Sequence, residues 1–430
     1  MINSALYYKE IGYGEAVELA TDYMTNPPVL PEYKEFHSLM LNEAVKRNPS
    51  AKEYVKSMLG RFLDSGLYRV AGLSQEQLIR SLFENMYGLG PIEELIDDPD
   101  VQEVNVNGYS NIWYEKNGIK RRAANLSFAS DEKLKQVIDR CLPTKEVNRL
   151  EAFAQSNFDK SRVYVGVPPV AKRPYLNYRK FSVFQATEEA YLRTGTMTKE
   201  ALGILMLFVR HRANITIIGP QNTGKTTLLS FLTDYYPADF RIGVLESPEF
   251  ETEIEARRPD GNVFSLKTEE KFGVTELDIF KHALRFSADV LIIPEARGAE
   301  MEEVLKAQRR GNRGSMTTAH SISPANLVDD MMLMIMESGK TYQLNLLRMM
   351  VAKALDIIIT MHHFSDGGRK VIGISEIDYD DVHEKLIVND LFVWENESLV
   401  RNGNKLRAEL VYNLLFHGAA AEELRKEGLI

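Results

Sequence analysis

The run GPQNTGKTT at residues 219–227 has the residue types and the spacing of a phosphate-binding loop. It matches the pattern G-x-x-x-x-G-K-[ST] at each fixed position. In such loops the glycines let backbone N–H groups curl around an anion, the lysine reaches the terminal phosphates, and the hydroxyl ligates Mg²⁺. The run therefore predicts a site for ATP and Mg²⁺, and the residues expected to contact them are Gly219, Gln221, Asn222, Thr223, Gly224, Lys225, Thr226 and Thr227.

The segments on either side of this phosphate loop support the same interpretation. Residues 214–218 (NITII) form a short, apolar, β-branched run that predicts a buried strand. Residues 226–235 predict a helix, which would place the bound anion at a helix N-terminus. The order strand, loop, helix favours nucleotide binding over the alternative, a glycine turn with a solvated lysine.

Acidic residues follow two further predicted strands. The run VLII at residues 290–293 ends at Pro294 and Glu295, and the segment LESPEFE brings Glu246 and Glu249 to the end of another strand. The carboxyl edge of a parallel sheet is where such sheets bind ligands. We expect Glu295 to polarise an attacking water or to support the metal ion. For Glu246 and Glu249 a solvated acidic loop remains the alternative.

Basic side chains complete the set of candidate residues. His320 ends a short polar strand at residues 314–320 and is a candidate sensor of the γ-phosphate. Guanidinium groups suit the charge that develops on a transferred phosphoryl group. The candidates are Arg162, Arg179, Arg285 and Arg297, with surface positions or ion pairs as the alternative.

The elements that must position these residues fall into regions of different periodicity. Residues 1–70 predict a helical extension, loosely attached, and SQEQ at 74–77 predicts a capping box that opens a further helix. Period-two runs within 71–192 predict an α+β domain. From 193 to 430, strands alternate with helices, which is typical of a parallel, doubly wound α/β sheet.

Composition excludes several classes of protein. The 430 residues carry a net charge of −9, which gives no general affinity for nucleic acid. A single cysteine excludes an intramolecular disulfide and suits the cytoplasm. No run is apolar enough to span a bilayer and no secretory signal is present, so we expect membrane association to be peripheral and to depend on partners.

Taken in order, these motifs resemble the type II/type IV secretion and pilus-assembly ATPase superfamily, and most of all its CpaF-like branch. The resemblance covers about residues 73–397 and includes the phosphate loop. The other matching segments are GLGPIEELIDDPDVQEVNVNG, SRVYVGVPP, LNYRKF, LESPE, ADVLIIPEARGAE, RGNRGSMTTAH, GGRKVIGISEI and NDLFVWE.

The resemblance implies a RecA-like P-loop NTPase core, a smaller α+β N-terminal domain and a homohexameric ring with nucleotide held between the two domains. It also implies a role for each candidate residue. Lys225 and Thr226 would bind phosphates and Mg²⁺, Glu295 would be the Walker B glutamate, Glu246 and Glu249 the acidic-box carboxylates, His320 the His-box residue, and Arg162, Arg179 and Arg297 nucleotide-site arginines.

The function implied by the resemblance is an ATPase motor at the cytoplasmic face of the inner membrane. It would drive secretion, pilus assembly or conjugative transfer through a membrane platform protein. Pro294, Ser247 and Asn312 depart from the family's usual residues. They motivate an alternative, a nucleotide-binding assembly scaffold with little hydrolysis. A nucleic-acid motor on the same core is a third possibility, which the acidic charge balance disfavours.

Overall fold

The chain divides into two compact units, Met1–Val183 and Phe184–Ile430. The computed structural model describes residues 8–142, 153–159, 161–181, 186–247, 250–295, 298, 301–337 and 339–430. Two units are a coarser division than the predicted one at 1–70, 71–192 and 193–430, which stays a prediction.

Helices that share one apolar core open the first unit. The capping box is confirmed, since the Gln77 N–H donates to Ser74 Oγ at 3.2 Å and the Ser74 N–H donates to Gln77 Oε1 at 2.9 Å. The helices of this unit are α1 (Tyr13–Thr25), α2 (Lys34–Val45), α3 (Pro49–Gly66), α4 (Gln75–Met86), α5 (Glu93–Asp97) and α6 (Asp131–Cys141).

A buried arginine ties this helical part to the rest of the first unit. Arg47 follows α2, and its side chain is only 4% exposed. It donates to Glu93 Oε1 at 2.9 Å and to Asp159 Oδ2 at 2.6 Å, and it also bonds to Asp97. A charge so deeply buried is stable only when it is paired. The expected loose attachment of the helical extension is therefore wrong.

The first unit also contains a six-stranded antiparallel sheet in the order β5-β4-β3-β8-β7-β6, and β1 and β2 form a separate parallel pair. One face carries the alternating apolar residues and packs against α5 and α6, as the period-two runs predict. The strands of this unit are β1 (Lys9–Glu10), β2 (Tyr68–Arg69), β3 (Val101–Asn107), β4 (Ile112–Lys116), β5 (Ile119–Arg122), β6 (Phe153–Phe158), β7 (Ser161–Gly166) and β8 (Tyr175–Lys180).

The second unit is built on one larger sheet in the order β11-β10-β12-β13-β9-β14-β15-β16-β17. In this order, the strands β11, β10, β12, β13, β9 and β14 pair in parallel. The strands β15, β16 and β17 extend the sheet beyond β14 by antiparallel pairing. The strands are β9 (Ile215–Ile218), β10 (Ile242–Glu246), β11 (Val263–Lys267), β12 (Val290–Ile293), β13 (Met316–Ala319), β14 (Ile357–His363), β15 (Arg369–Asp380), β16 (Lys385–Glu395) and β17 (Ser398–Arg401).

Helices cover both faces of this larger sheet and create a core on each. The arrangement confirms the predicted α/β class, and the predicted parallel pairing holds from β11 across to β14, whereas β15, β16 and β17 make the whole sheet mixed. The helices are α7 (Glu188–Arg193), α8 (Lys199–Arg210), α9 (Lys225–Leu232), α10 (Ile254–Arg257), α11 (Glu276–Arg285), α12 (Met301–Arg310), α13 (Pro324–Met336), α14 (Leu344–Ala352), α15 (Ala408–Phe416) and α16 (Ala421–Lys426).

None of the helices in the described part of the chain has the length and the apolar character needed to cross a bilayer.

Candidate phosphate-binding site

Parallel pairing in the second unit brings the carboxyl ends of its central strands to one edge of the sheet. Ile218 at the end of β9 pairs with Ala319 at the end of β13, and Ile293 at the end of β12 pairs with Thr317. The segments that follow these strands must therefore leave the sheet side by side. They contain the phosphate loop, His320 and Glu295.

The backbone of the phosphate loop follows a path that glycine makes possible. Gly219 has φ 147° and Gly224 has φ 91°, and between them Asn222 is left-handed with φ 61°. A Cβ atom on Gly219 would overlap the Met361 carbonyl oxygen of β14. Residues of positive φ turn successive N–H groups toward one point, which is the geometry of an anion cradle. Gly224 then caps the N-terminus of α9.

Lys225 lies buried at the start of α9 and is 7% exposed. Its ammonium group donates to the carbonyl oxygens of Gly219 and Pro220, both at 2.8 Å. The Thr223 hydroxyl donates to the Pro220 carbonyl as well, at 2.9 Å. These bonds hold the lysine head inside the loop that the sequence predicts it to serve.

His320 lies between Lys225 and Glu295. Its Nδ1 is 3.4 Å from Lys225 Nζ, and its Nε2 is 3.6 Å from Glu295 Oε1. Because an ammonium group can only donate, Nδ1 accepts and Nε2 carries the proton that faces the carboxylate. The His320 side chain is 45% exposed and that of Glu295 is 33% exposed. This group therefore combines a cation, a titratable ring and an accessible carboxylate beside an anion cradle.

Glu246 ends β10 at the same edge, but its carboxylate is engaged by the following loop. It accepts from the Glu251 N–H at 2.6 Å, and from the Thr252 N–H and hydroxyl at 3.0 Å. Burial raises its pKa to about 7, although the Thr252 bonds act in the opposite direction. This carboxylate anchors residues 251–252 in the structure, and its predicted catalytic role stays a prediction.

Ser247, Asn312 and Pro294, the three residues at which the sequence departs from the pattern it resembles, each make a local bond. The Ser247 hydroxyl donates to Glu276 Oε1 at 2.8 Å, and the Asn312 amide donates to the Ala288 carbonyl at 2.7 Å. The Pro294 carbonyl accepts from the Thr318 hydroxyl of the neighbouring strand. These replacements are thus integrated into the packing around the strand ends.

A family model described as "Type II/IV secretion system protein" matches residues 85–366, which is more than half of the chain. The chain belongs to this family. Among its relatives, the type IV secretion system protein VirB11 of Brucella suis is 23% identical over 330 residues, covering 68% of this chain and 90% of VirB11.

Two solved structures share the fold of this chain. The ATPase DotB of Yersinia pseudotuberculosis aligns with a TM-score of 0.52 at 12% identity, over 68% of this chain and 79% of DotB. The pilus retraction motor PilT, solved with bound ADP, aligns with a TM-score of 0.50 at 14% identity, over 79% of this chain and 98% of PilT. The predicted superfamily is therefore confirmed, and the CpaF-like branch stays a prediction.

Two of the predicted arginines of this secretion family protein lie in the first unit. Arg162 on β7 and Arg179 on β8 are directly opposite each other in the sheet, and Glu103 on β3 pairs with Arg179 from the other side. Like charges at opposed positions are unfavourable unless an anion lies near them. Their predicted nucleotide contact stays a prediction.

For the other predicted residues, the structure gives the position along the chain or the exposure, but no contact with the site. Glu249 and Arg297 lie outside the described residues, and Arg285 ends α11 with an exposed side chain. Gln221 is exposed on the phosphate loop, whereas Thr226 and Thr227 are half-buried in the first turn of α9.

One side chain that contacts the phosphate loop was not predicted from the sequence. Arg369, the first residue of β15, donates from Nε to the Asn222 carbonyl oxygen at 2.7 Å. The only local signal was the turn at residues 366–368, which indicates a hairpin but not its neighbour. The contact depends on β14 pairing with β9, and that strand order is not readable from local pattern.

Proposed function

We propose that this protein is an ATPase motor that binds Mg-ATP at the phosphate loop and uses hydrolysis to drive secretion, pilus assembly or conjugative transfer. The observation that carries the proposal is the meeting of Lys225, His320 and Glu295 beside a loop built as an anion cradle. Membership of the secretion family adds support, as does the similarity in fold to a pilus retraction motor solved with ADP.

The loop and Lys225 would bind the β- and γ-phosphates. Backbone N–H groups between Gly219 and α9 supply donors to the phosphate oxygens, and the ammonium group adds a charge within their reach. Lys225 would exchange its bonds to the Gly219 and Pro220 carbonyls for bonds to phosphate oxygens, which are stronger acceptors because they are charged.

The residues around the loop fit a magnesium ion held mainly by the nucleotide. In the described part of the chain, no group of three or more His, Cys, Asp or Glu side chains could hold a metal by itself. Magnesium at phosphate sites needs no such group, because it keeps several waters and takes most other ligands from phosphate. Thr226, half-buried in the first turn of α9, would supply one hydroxyl, and the ion would neutralise charge on the phosphates.

Glu295 is the candidate to orient the attacking water, because its carboxylate is partly accessible and ends the strand next but one to the loop strand. His320 would hold that carboxylate in place through Nε2 while its Nδ1 contacts Lys225. If phosphate binding moves Lys225, the His320 ring, which contacts both groups, would transmit the movement to Glu295.

The wider assembly is part of the proposal. A homohexamer would work with an inner-membrane platform protein at the cytoplasmic face. Glu249 and Arg297 would lie at the nucleotide, as the family resemblance implies. Arg162 and Arg179 would contact its phosphates, as the same resemblance implies.

A second candidate function is a nucleotide-binding scaffold with little hydrolysis. One observation favours it: Glu246 is bonded to residues 251 and 252 of its own loop, and the adjacent Ser247 is bonded to Glu276. Neither side chain is directed by these bonds toward a metal. If ATP binds tightly but no phosphate is released, the scaffold is the correct function.

Phosphate release from ATP, measured with and without Mg²⁺, tests the motor. We expect Lys225→Ala to lower Mg²⁺-dependent hydrolysis by about 100-fold or more, because preorganised charge at a phosphoryl group contributes on this scale. The control is Lys281→Ala on α11, which removes an exposed lysine from the same unit and should leave the rate unchanged. Equal rates for wild type and Lys225→Ala would contradict the proposal.

A further inference from the structure

The hairpin of β14 and β15 lies against the phosphate loop at two points. The Met361 carbonyl occupies the space beside Gly219 in which a side chain would otherwise stand. The Arg369 side chain passes Gly224, where its Cδ would be 3.6 Å from a Cβ atom, and then reaches Asn222. The loop is therefore supported by a strand pair that is distant from it in sequence.

The backbone of Arg369 is fixed on both of its edges. It pairs with His363 across the hairpin, and its carbonyl accepts from the Thr196 hydroxyl at 2.9 Å. Two residues later, the Val371 N–H donates to the Thr196 carbonyl at 2.8 Å. An arginine held at its base in this way loses less freedom when its head forms a bond.

Arg369 binds the carbonyl oxygen of Asn222, the residue of positive φ between the two glycines of the phosphate loop. Asn222 has φ 61°, a conformation that costs a non-glycine residue free energy and persists only when its surroundings hold it. An anion cradle needs its N–H groups directed inward and its carbonyls directed away from the phosphate. Lys225 binds the Gly219 and Pro220 carbonyls, and Arg369 binds the Asn222 carbonyl.

We propose that Arg369 is a positioning residue that holds the Asn222 peptide so that the loop presents its N–H groups to phosphate. The proposal rests on the proposed function and deepens it, since it names what preorganises the loop. The working atom is Nε, a donor at a fixed distance along the side chain. The rival role for the same residue is its positive charge acting directly on the nucleotide.

Two substitutions separate these roles. Arg369→Gln keeps an N–H donor at the same position along the side chain as Nε and removes the charge. Arg369→Lys keeps the charge and removes that donor. The control is Lys370→Ala, because the Lys370 ammonium group binds the Thr194 carbonyl and not the loop. Thermal unfolding of each full-length variant establishes that it is folded.

Hydrogen exchange of the amides of Gly219 and of residues 221–225 is measured without nucleotide, and binding of a fluorescent ADP analogue is measured separately. For Arg369→Lys we expect faster loop exchange and about tenfold weaker binding, the loss expected for a hydrogen bond to a charged group. Arg369→Gln should retain slow exchange and should bind within about threefold of wild type.

Each other outcome decides against the inference in its own way. Weak binding by Arg369→Gln together with normal binding by Arg369→Lys would assign the residue's effect to its charge. Loop exchange unchanged in both variants would show that the bond to Asn222 does not order the loop. Should wild type bind no nucleotide at all, the proposed function fails, while the exchange measurement still tests the role of Arg369.

Discussion

At the amino ends of β9, β13 and β14 the polar groups are bonded to one another, whereas at the carboxyl ends of the same sheet they surround the phosphate loop. Both ends carry a cation and a carboxylate within one group of contacts. The two ends differ in the burial of these side chains, in the distances between them and in the groups that they contact. These differences suggest a structural role for the amino end and fit the chemical role proposed for the carboxyl end.

The amino end is a closed network centred on Asp356. Its Oδ2 accepts from the Asn214 N–H at 2.7 Å, and both of its oxygens accept from Arg313 at 2.7 and 2.6 Å. The Asn214 amide then bonds to the Ala354 carbonyl and to the Gly314 N–H. Burial raises the pKa of Asp356, and the adjacent Arg313 opposes that rise. These bonds join the amino ends of β13, β9 and β14, which are consecutive strands of the sheet, so the network fixes their relative positions.

The carboxyl end is looser and more accessible. Contacts of His320 with Lys225 and Glu295 measure 3.4 and 3.6 Å, and the ring and the carboxylate are partly exposed. Groups at such distances can exchange partners with a ligand at small cost, whereas the groups around Asp356 cannot. The rigid end therefore positions the strands, and the proposed function assigns the chemistry to the open end.

The first test removes the centre of the closed network. We expect Asp356→Ala to destabilise the second unit by about 3–5 kcal/mol, because it leaves the half-buried Arg313 and the buried Asn214 N–H without their acceptor. Urea denaturation followed by circular dichroism measures the loss. The matched control is Asp329→Ala, which breaks the exposed pair with Arg348 and should cost less than about 1 kcal/mol. Similar losses for the two variants would remove the distinction between the ends.

The second test removes the reactive charge at the open end. Glu295→Gln should lower ATP hydrolysis by about 100-fold or more, since a positioned general base contributes on that scale. It should leave the urea midpoint and nucleotide affinity near those of wild type, because the side chain is partly exposed and is not a phosphate ligand in the proposal. A variant that is destabilised but still hydrolyses ATP would place Glu295 with the structural residues.

The sequence predicts features that neighbouring residues determine, and it does not predict contacts between distant parts of the chain. The strand at residues 290–293, the helix after the phosphate loop and the capping box at Ser74 were correct because neighbouring residues determine them. Lys225, His320 and Glu295 could be grouped once parallel strands were assumed. The reach of Arg369 and the partners of Asp356 could not be predicted, because both depend on β14 lying beside β9.

Glu246 tests the comparison within the carboxyl end of the sheet. It ends β10 at that end, but its carboxylate is buried and fully hydrogen-bonded, like the groups at the amino end. Burial raises the pKa of this carboxyl to about 7 from its usual 4.5, so the folded protein binds that proton more tightly than the unfolded chain. Ionising this carboxyl lowers the free energy of unfolding. The loss is absent below about pH 4.5 and complete above about pH 7.

Glu246→Gln should therefore stabilise the protein above neutral pH and change little near pH 4. Its amide oxygen can still accept from the Glu251 and Thr252 N–H groups, and the Thr252 hydroxyl can turn to accept from the new amide. The expected gain at pH 8 is about 3 kcal/mol, at 1.36 kcal/mol for each pKa unit. Urea midpoints at pH 4, 6 and 8 measure it, with Glu253→Gln as an exposed control. A loss of stability at pH 8 would mean that the ionised carboxylate is the form its surroundings favour, and Glu246 would then rejoin the reactive group.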